Sequence, residues 1–257
     1  MTMDRSVIPP AGGSDPLPPH PPLTRYYQDA EQRRQRISAW FNGAAGDYDW
    51  LNQAVSFGAG SWYRRQALLR AGLAEGMSLL DTGSGTGVIA ALGQQIVGHR
   101  GLVVALDPSL GMMSHAAGRG VKRRVRGIAE ALPFPDERFD RLTMGYALRH
   151  VADLRATFQE YRRVLKPGGK VLLLEITRPS SRLQHHVLKL YLGRIVPFLA
   201  RFGRGGRTSQ ELMEYYWDTI ESCVPPEVIL DALREAGFSD VERRVEHGIL
   251  SDYTGVR

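Results

Sequence analysis

Cysteine is nearly absent from this chain. Cys223 stands alone among 257 residues, which excludes an intramolecular disulfide and a cysteine-rich zinc site and fits a reducing, cytoplasmic compartment. His185 and His186 are adjacent, and neighbours on a regular helix point in different directions, so no metal is expected there. No uninterrupted apolar run reaches the ~18 residues of a membrane-spanning helix, leaving peripheral contact, at the inner face of a membrane, as the only membrane relation in view. Internal repeats are missing as well. Residues 1–24 lack the apolar centre of a secretory signal and the arginine of an organelle-targeting helix. Their prolines, among them Pro9, Pro10, Pro16, Pro18, Pro19, Pro21 and Pro22, predict a disordered tail.

What remains is foldable: 43% of residues are hydrophobic and 23% charged, ordinary values for a globular chain. The net charge of +6 admits a nucleic-acid partner, an anionic membrane or simply a solvated arginine-rich surface. The basic run Lys122 to Arg126 has no interleaved aromatics, and no Asn-Pro-Pro-Tyr segment follows the fourth predicted strand, so no nucleic-acid partner is expected.

Residues 25–75 read as a helical cap, with Ile37, Trp40, Phe41, Tyr48 and Leu51 spaced to bury one side and a second amphipathic segment from Trp62 to Leu73. Residues 76–257 read as the main domain. Apolar runs at Leu79 to Thr82, Leu102 to Leu106, Phe139 to Met144 and Val171 to Glu175 alternate with helical patterns at 86–97, 109–117 and 153–165, which argues for a parallel sheet covered on both faces. Val121 to Gly127 supplies a basic strand suited to an edge. A substrate-side insertion is expected at about 180–222; within it, residues 182–202 are basic and amphipathic, and Pro197 should interrupt any helix. That stretch either packs on the domain, roofs an apolar substrate pocket or lies on an anionic membrane. Pro225-Pro226 open a further helix, and two final strands meet in a turn near Glu246 to Gly248.

The informative motif is Leu79-Leu80-Asp81-Thr82-Gly83-Ser84-Gly85-Thr86-Gly87, followed by apolar Val88 to Leu92: strand, glycine loop, helix. Such a loop brings backbone amides against a nucleotide-type cofactor. Gly85 to Ala90 formally satisfies the GxGxxA dinucleotide variant, with Asp107 twenty residues beyond Gly87. Asp81, however, would face a pyrophosphate unfavourably, whereas it suits the cationic amino-acid end of S-adenosylmethionine. Asp107 serves either cofactor through the ribose hydroxyls.

Ala131 to Asp140, followed by Arg163-Val164-Leu165-Lys166-Pro167-Gly168-Gly169-Lys170, resembles class I S-adenosylmethionine-dependent methyltransferases. Phe41 to Asn52 with Tyr48-Asp49, Ser56-Phe57-Gly58, Leu80 to Gly87, Glu130 to Phe134, Tyr146 to His150 and Glu175 to Pro179 together resemble the ubiquinone/menaquinone biosynthesis C-methyltransferase family, over roughly residues 37–255. The resemblance implies a Rossmann-like α/β fold with a mostly parallel seven-stranded sheet, and methyl transfer to a ring carbon of a polyprenylated quinol precursor or related aromatic. It implies that Arg64, Asp81, Gly83, Ser84, Gly85, Gly87, Asp107, Pro108, Ile128, Ala129, Glu130 and Tyr146 hold the cofactor. The sequence departs from the family where Val88 replaces an aspartate, Ile128 an aspartate or asparagine and His150 an asparagine, and where an arginine near Ser61 is missing.

Because a guanidinium stays protonated, Arg149 is expected to orient a water or stabilise a phenolate rather than take a proton. His150, with an ordinary pKa of about 6.5, is the candidate general base, and Tyr48 a candidate ligand for the quinol oxygen. A different aromatic or polyketide substrate, a non-catalytic accessory of quinone synthesis and a nicotinamide-dependent dehydrogenase stay open as alternatives, as do a homodimer and membership of a quinone-synthesis complex.

Overall fold

The computed structural model describes residues 15–55 and 60–257. Three helices come first, α1 (Ala30–Ala44), α2 (Tyr48–Val55) and α3 (Gly60–Arg70). Alternation then begins with β1 (Ser78–Thr82), α4 (Val88–Val97), β2 (Leu102–Asp107), α5 (Leu110–Gly118), β3 (Arg123–Arg126), β4 (Phe139–Gly145), a 3-10 turn (Leu148–His150), α6 (Leu154–Val164) and β5 (Leu165–Ile176). A helical segment follows as α7 (Arg182–Leu190), a π turn (Tyr191–Ile195), α8 (Val196–Ala200) and α9 (Arg207–Ser222), before α10 (Pro226–Glu235), β6 (Ser239–Glu246) and β7 (Leu250–Val256).

One seven-stranded sheet runs in the order β3-β2-β1-β4-β5-β7-β6. β1 pairs in parallel with both β2 and β4, placing Leu80 opposite Val104 and Leu142, while β7 runs antiparallel to β5 and β6. All five residues of β1 are buried, as a central strand covered on two faces requires. Alternation sends Leu79 into a core with Trp40, Ala90, Leu172 and Tyr215, and Leu80 into another with Leu142, Phe158 and Leu233. Strand order reverses between β1 and β4, so the carboxyl ends of these two strands frame the crevice where an open α/β sheet takes its ligand. The basic β3 sits at an edge, where its arginines reach solvent.

Two expectations are corrected. Residues 15–24 lie against the domain: Leu17 N–H donates to Asp153 Oδ1 at 3.0 Å, Leu17 C=O accepts from Leu154 N–H at 2.9 Å, and Pro19 C=O accepts from Val224 N–H at 2.8 Å. An extended proline-rich segment has few donors of its own but free carbonyls, and here one of them satisfies an orphan N–H in the first turn of α6. The remainder of the expected tail, residues 1–14, lies outside the described residues, as does Ser56-Phe57-Gly58. Pro197, for its part, does not interrupt the helix. The turn before it widens, Val196 N–H bonding five residues back to Tyr191 C=O, and the residue four before Pro197 is Gly193, so the helix continues through the proline.

Candidate functional site

A cleft opens at the carboxyl ends of β1 and β4, lined by Tyr48, Arg64, Asp81, the loop from Gly83 to Thr86, Val88, Ile89, Gly145 and Tyr146. Gly83, Gly85 and Gly87 all have positive φ, at 60°, 54° and 79°. At Gly83 a Cβ would lie 2.7 Å from Ala147 Cβ, and at Gly87 2.8 Å from Ala116 Cβ, so these glycines let the loop close on β4 and α5. Gly87 also begins α4, whose first N–H groups face the loop.

Asp81 is buried, and its Oδ1 accepts from Thr143 Oγ1 at 2.8 Å while its Oδ2 lies within hydrogen-bond geometry of no donor among the described residues. Burial pushes its carboxyl up to about 7, against the opposing bond from Thr143. Ser84 Oγ is likewise buried without a partner. Arg64 is buried on α3, stacks 4.8 Å above the Tyr146 ring and forms no ion pair with a described residue. Tyr146 itself holds φ at 60°, costly for an aromatic residue by ~1–3 kcal/mol, and its N–H is anchored to Leu174 C=O at 2.7 Å. The turn thereby aims the ring into the cleft.

Asp107 ends β2, accepting from Gly85 N–H and Ser109 N–H at 2.8 Å each, and burial pushes its carboxyl up to about 6. Each oxygen keeps a second lone pair. Pro108 follows it, its C=O accepting from Arg126 Nε at 3.3 Å, while Ala129 is buried and Ile128 is 47% exposed beyond β3. Glu130 Oε1 accepts from Ala152 N–H at 2.5 Å, joining the end of β3 to the end of β4. These four residues, like Asp107 and Gly87, do not line the cleft itself.

Arg149 departs from its expected role. Its guanidinium is 1% exposed and committed to protein: Nε to Glu175 Oε2 at 2.8 Å, Nη1 to Thr219 Oγ1 at 2.8 Å and Tyr216 C=O at 3.1 Å, Nη2 to Tyr146 C=O at 3.4 Å. It ties the post-β4 turn to β5 and α9, a positioning residue rather than one free to face a phenolate. His150, beside it, has both ring nitrogens buried and unpartnered. Its ring stacks on Tyr215 at 5.5 Å, meets Phe41 edge-on at 5.3 Å and lies 6.5 Å from Tyr216. Burial, with the neighbouring charges of Arg149 and Arg33, holds its pKa well below the ordinary value, so the imidazole is neutral. Tyr48 reaches this enclosure from α2, 5.9 Å from Phe41, and burial raises its phenol so that it keeps its proton.

Sequence reasoning missed the residues that assemble these parts. Thr86 Oγ1 donates to Asp49 Oδ1 at 2.8 Å, latching α2 to the glycine loop, and Arg119 pairs with Asp49 at 2.6 Å. Arg33 donates to His150 C=O and Val151 C=O at 3.1 and 2.9 Å. Asp49 and Glu175 both lie inside the motifs that carried the resemblance. Nothing in the sequence pattern singled out Tyr215 or Tyr216.

The ubiE/COQ5 methyltransferase family profile matches residues 28–257. The chain belongs to that family. Ubiquinone/menaquinone biosynthesis C-methyltransferase UbiE of Shewanella sp. (strain ANA-3) is 32% identical over 240 residues, covering 89% of this chain and 93% of that protein; the same enzyme of Shewanella oneidensis is also 32% identical with the same coverage. A solved S-adenosylmethionine-dependent methyltransferase from Thermotoga maritima superposes with a TM-score of 0.61 at 21% identity, over 86% of this chain and 99% of that one. The [4+2]-cyclase SpnF does so with 0.59 at 18%, over 87% and 95%, a likeness of fold alone. Members of the ubiE/COQ5 family are methyltransferases, and this chain is an S-adenosylmethionine-dependent methyltransferase with S-adenosylmethionine as its cofactor. The dehydrogenase alternative falls. The cleft fits that cofactor: a carboxylate oxygen on Asp81 and a guanidinium on Arg64, neither paired with a described residue, offer complementary charges for a zwitterionic amino-acid end.

Proposed function

We propose that this methyltransferase acts on a ring carbon of a prenylated quinol precursor. One observation carries the reading: two aromatic rings, Tyr48 and Tyr146, line the cleft beside the glycine loop, and Tyr48 packs on Phe41, which meets the neutral imidazole of His150. The names of the Shewanella relatives support the same acceptor class.

In this reading Asp81 holds the ammonium and Arg64 the carboxylate of the cofactor's methionine end, the Ser84 hydroxyl and the side-chain-free backbone at Gly83, Gly85 and Gly87 lie along it, and Asp107 takes the ribose hydroxyls. Pro108, Ile128, Ala129 and Glu130 border the base. When bound, S-adenosylmethionine supplies a sulfonium methyl already primed for displacement. His150 accepts the phenolic proton of the acceptor, which raises electron density at the ring carbon. Tyr48, keeping its own proton, donates to an acceptor oxygen, and Tyr146 walls the passage between the two sites. Arg149 keeps the turn bearing His150 in place through Glu175.

His150→Asn, assayed for methyl transfer to a demethylated short-chain quinol at saturating cofactor, is expected to lose roughly 10²–10⁴ in rate with cofactor affinity unchanged. An unchanged rate and pH profile would remove His150 as the base.

A further inference from the structure

None of the 35 residues from Ile176 to Gln210 is acidic, in a chain with 27 acidic residues overall. The helical segment from α7 through the π turn to α8 fills most of that stretch. Its inner stripe, Leu188, Leu192, Val196 and Ala200, is buried. Its outer row is apolar as well: Leu183, Val187, Leu190, Phe198 and Phe202 are each more than half exposed, Leu183 to 74% and Phe202 to 73%. Phe198 and Phe202 pack on each other at 5.3 Å and on no other described ring. Around this row Arg182, Lys189, Arg194, Arg201, Arg204 and Arg207 are exposed and have no ion pair with a described residue, whereas Arg178 at the edge does pair, with Glu221 at 3.5 Å.

We propose that this face is a docking surface for an anionic lipid bilayer. The outer row would sit at the acyl boundary, and the long basic side chains flanking it would reach lipid phosphates while their stems stay on apolar surface. Charge complementarity selects the occupant. Two copies meeting through this face about a two-fold axis would set its unpaired cations against their own equivalents, whereas an anionic leaflet satisfies apolar and cationic groups together. The segment also packs inward on α9, which carries Tyr215 and Tyr216, so the bilayer would lie one helix layer from the aromatic enclosure. This deepens the proposed function by placing a lipid-borne acceptor beside its site, yet it stands on the surface alone.

The test is cosedimentation of the full chain with vesicles of phosphatidylcholine alone or mixed with phosphatidylglycerol, together with sedimentation velocity without lipid. The expected result is partition onto the anionic vesicles only, weakened by salt, falling about fivefold for each of Arg194→Gln and Arg201→Gln, and lost in Phe198→Ser/Phe202→Ser with cofactor binding retained as the sign of an intact fold. Failure to bind anionic vesicles, binding unmoved by these substitutions, or a dimer that the same substitutions dissociate would each overturn the proposal. A water-soluble methyl acceptor would refute the quinol reading and leave this result untouched.

Discussion

Replacing Glu175 with glutamine leaves the Arg149 guanidinium buried without a counter-ion. The two side chains are 1% and 4% exposed, their Nε to Oε2 distance is 2.8 Å, and Glu175 Oε1 also accepts from Leu148 N–H at 2.9 Å. Breaking such a pair from one side costs ~3–5 kcal/mol, because the surviving charge pays its desolvation uncompensated. At this chain length each kcal/mol lowers the melting temperature by ~2–4 °C, so a fall of roughly 6–20 °C is expected by calorimetry. Arg149→Met/Glu175→Met removes both charges and should recover at least half of that loss. The same pair of experiments separates positioning from chemistry. If Arg149 acts by holding the turn, the double variant regains cofactor affinity along with stability. A melting point within ~2 °C of the parent for Glu175→Gln would refute the reasoning, and an Arg149→Met variant with full stability and no turnover would return Arg149 to the acceptor.

Asp81→Asn should weaken S-adenosylmethionine binding by ~10–100-fold in calorimetric titration, the value of one charged hydrogen bond. In the parent, affinity should climb about tenfold per pH unit up to about 7, where Asp81 becomes ionised, and this slope should vanish in the variant. Without ligand the sign reverses: the raised carboxyl contributes stability that is fully present below its unfolded value of ~3.9 and is lost as pH rises through about 7. Gly83→Ala pays both for a left-handed φ and for a Cβ 2.7 Å from Ala147, whereas Gly76→Ala, with φ at 81° and nothing within 4 Å, pays only the first. Gly76→Ala should therefore lose ~1–2 kcal/mol and Gly83→Ala more, with weakened cofactor binding confined to Gly83; equal losses would show that the approach to Ala147 carries no cost.

The parallel sheet was legible because buried strands such as Leu79 to Thr82 leave apolar runs, and the glycine loop because its spacing is itself the geometry. Pro197 misled because the rule that proline breaks a helix assumes a regular ladder, and the wider turn over Gly193 removes the clash. Docking of residues 15–24 left no periodic pattern, since it works through two separate apolar contacts, Leu17 and Leu23, and main-chain bonds of Leu17 and Pro19 to Asp153, Leu154 and Val224. Arg149 was expected to orient a water or stabilise a phenolate, and its guanidinium is instead spent on protein partners: its carboxylate partner lies 26 positions away, a pairing that only the tertiary fold creates.

Methyl transfer to a carbon of a lipid-borne ring is the proposed reaction. It is tested most directly by incubating the protein with methyl-labelled S-adenosylmethionine and a cellular lipid extract, then locating the label by mass and by its resistance to hydrolysis. Label bound to a ring carbon of an apolar, prenylated product is the expected result. Label in a water-soluble product, or in a hydrolysable methyl on oxygen or nitrogen, would contradict it.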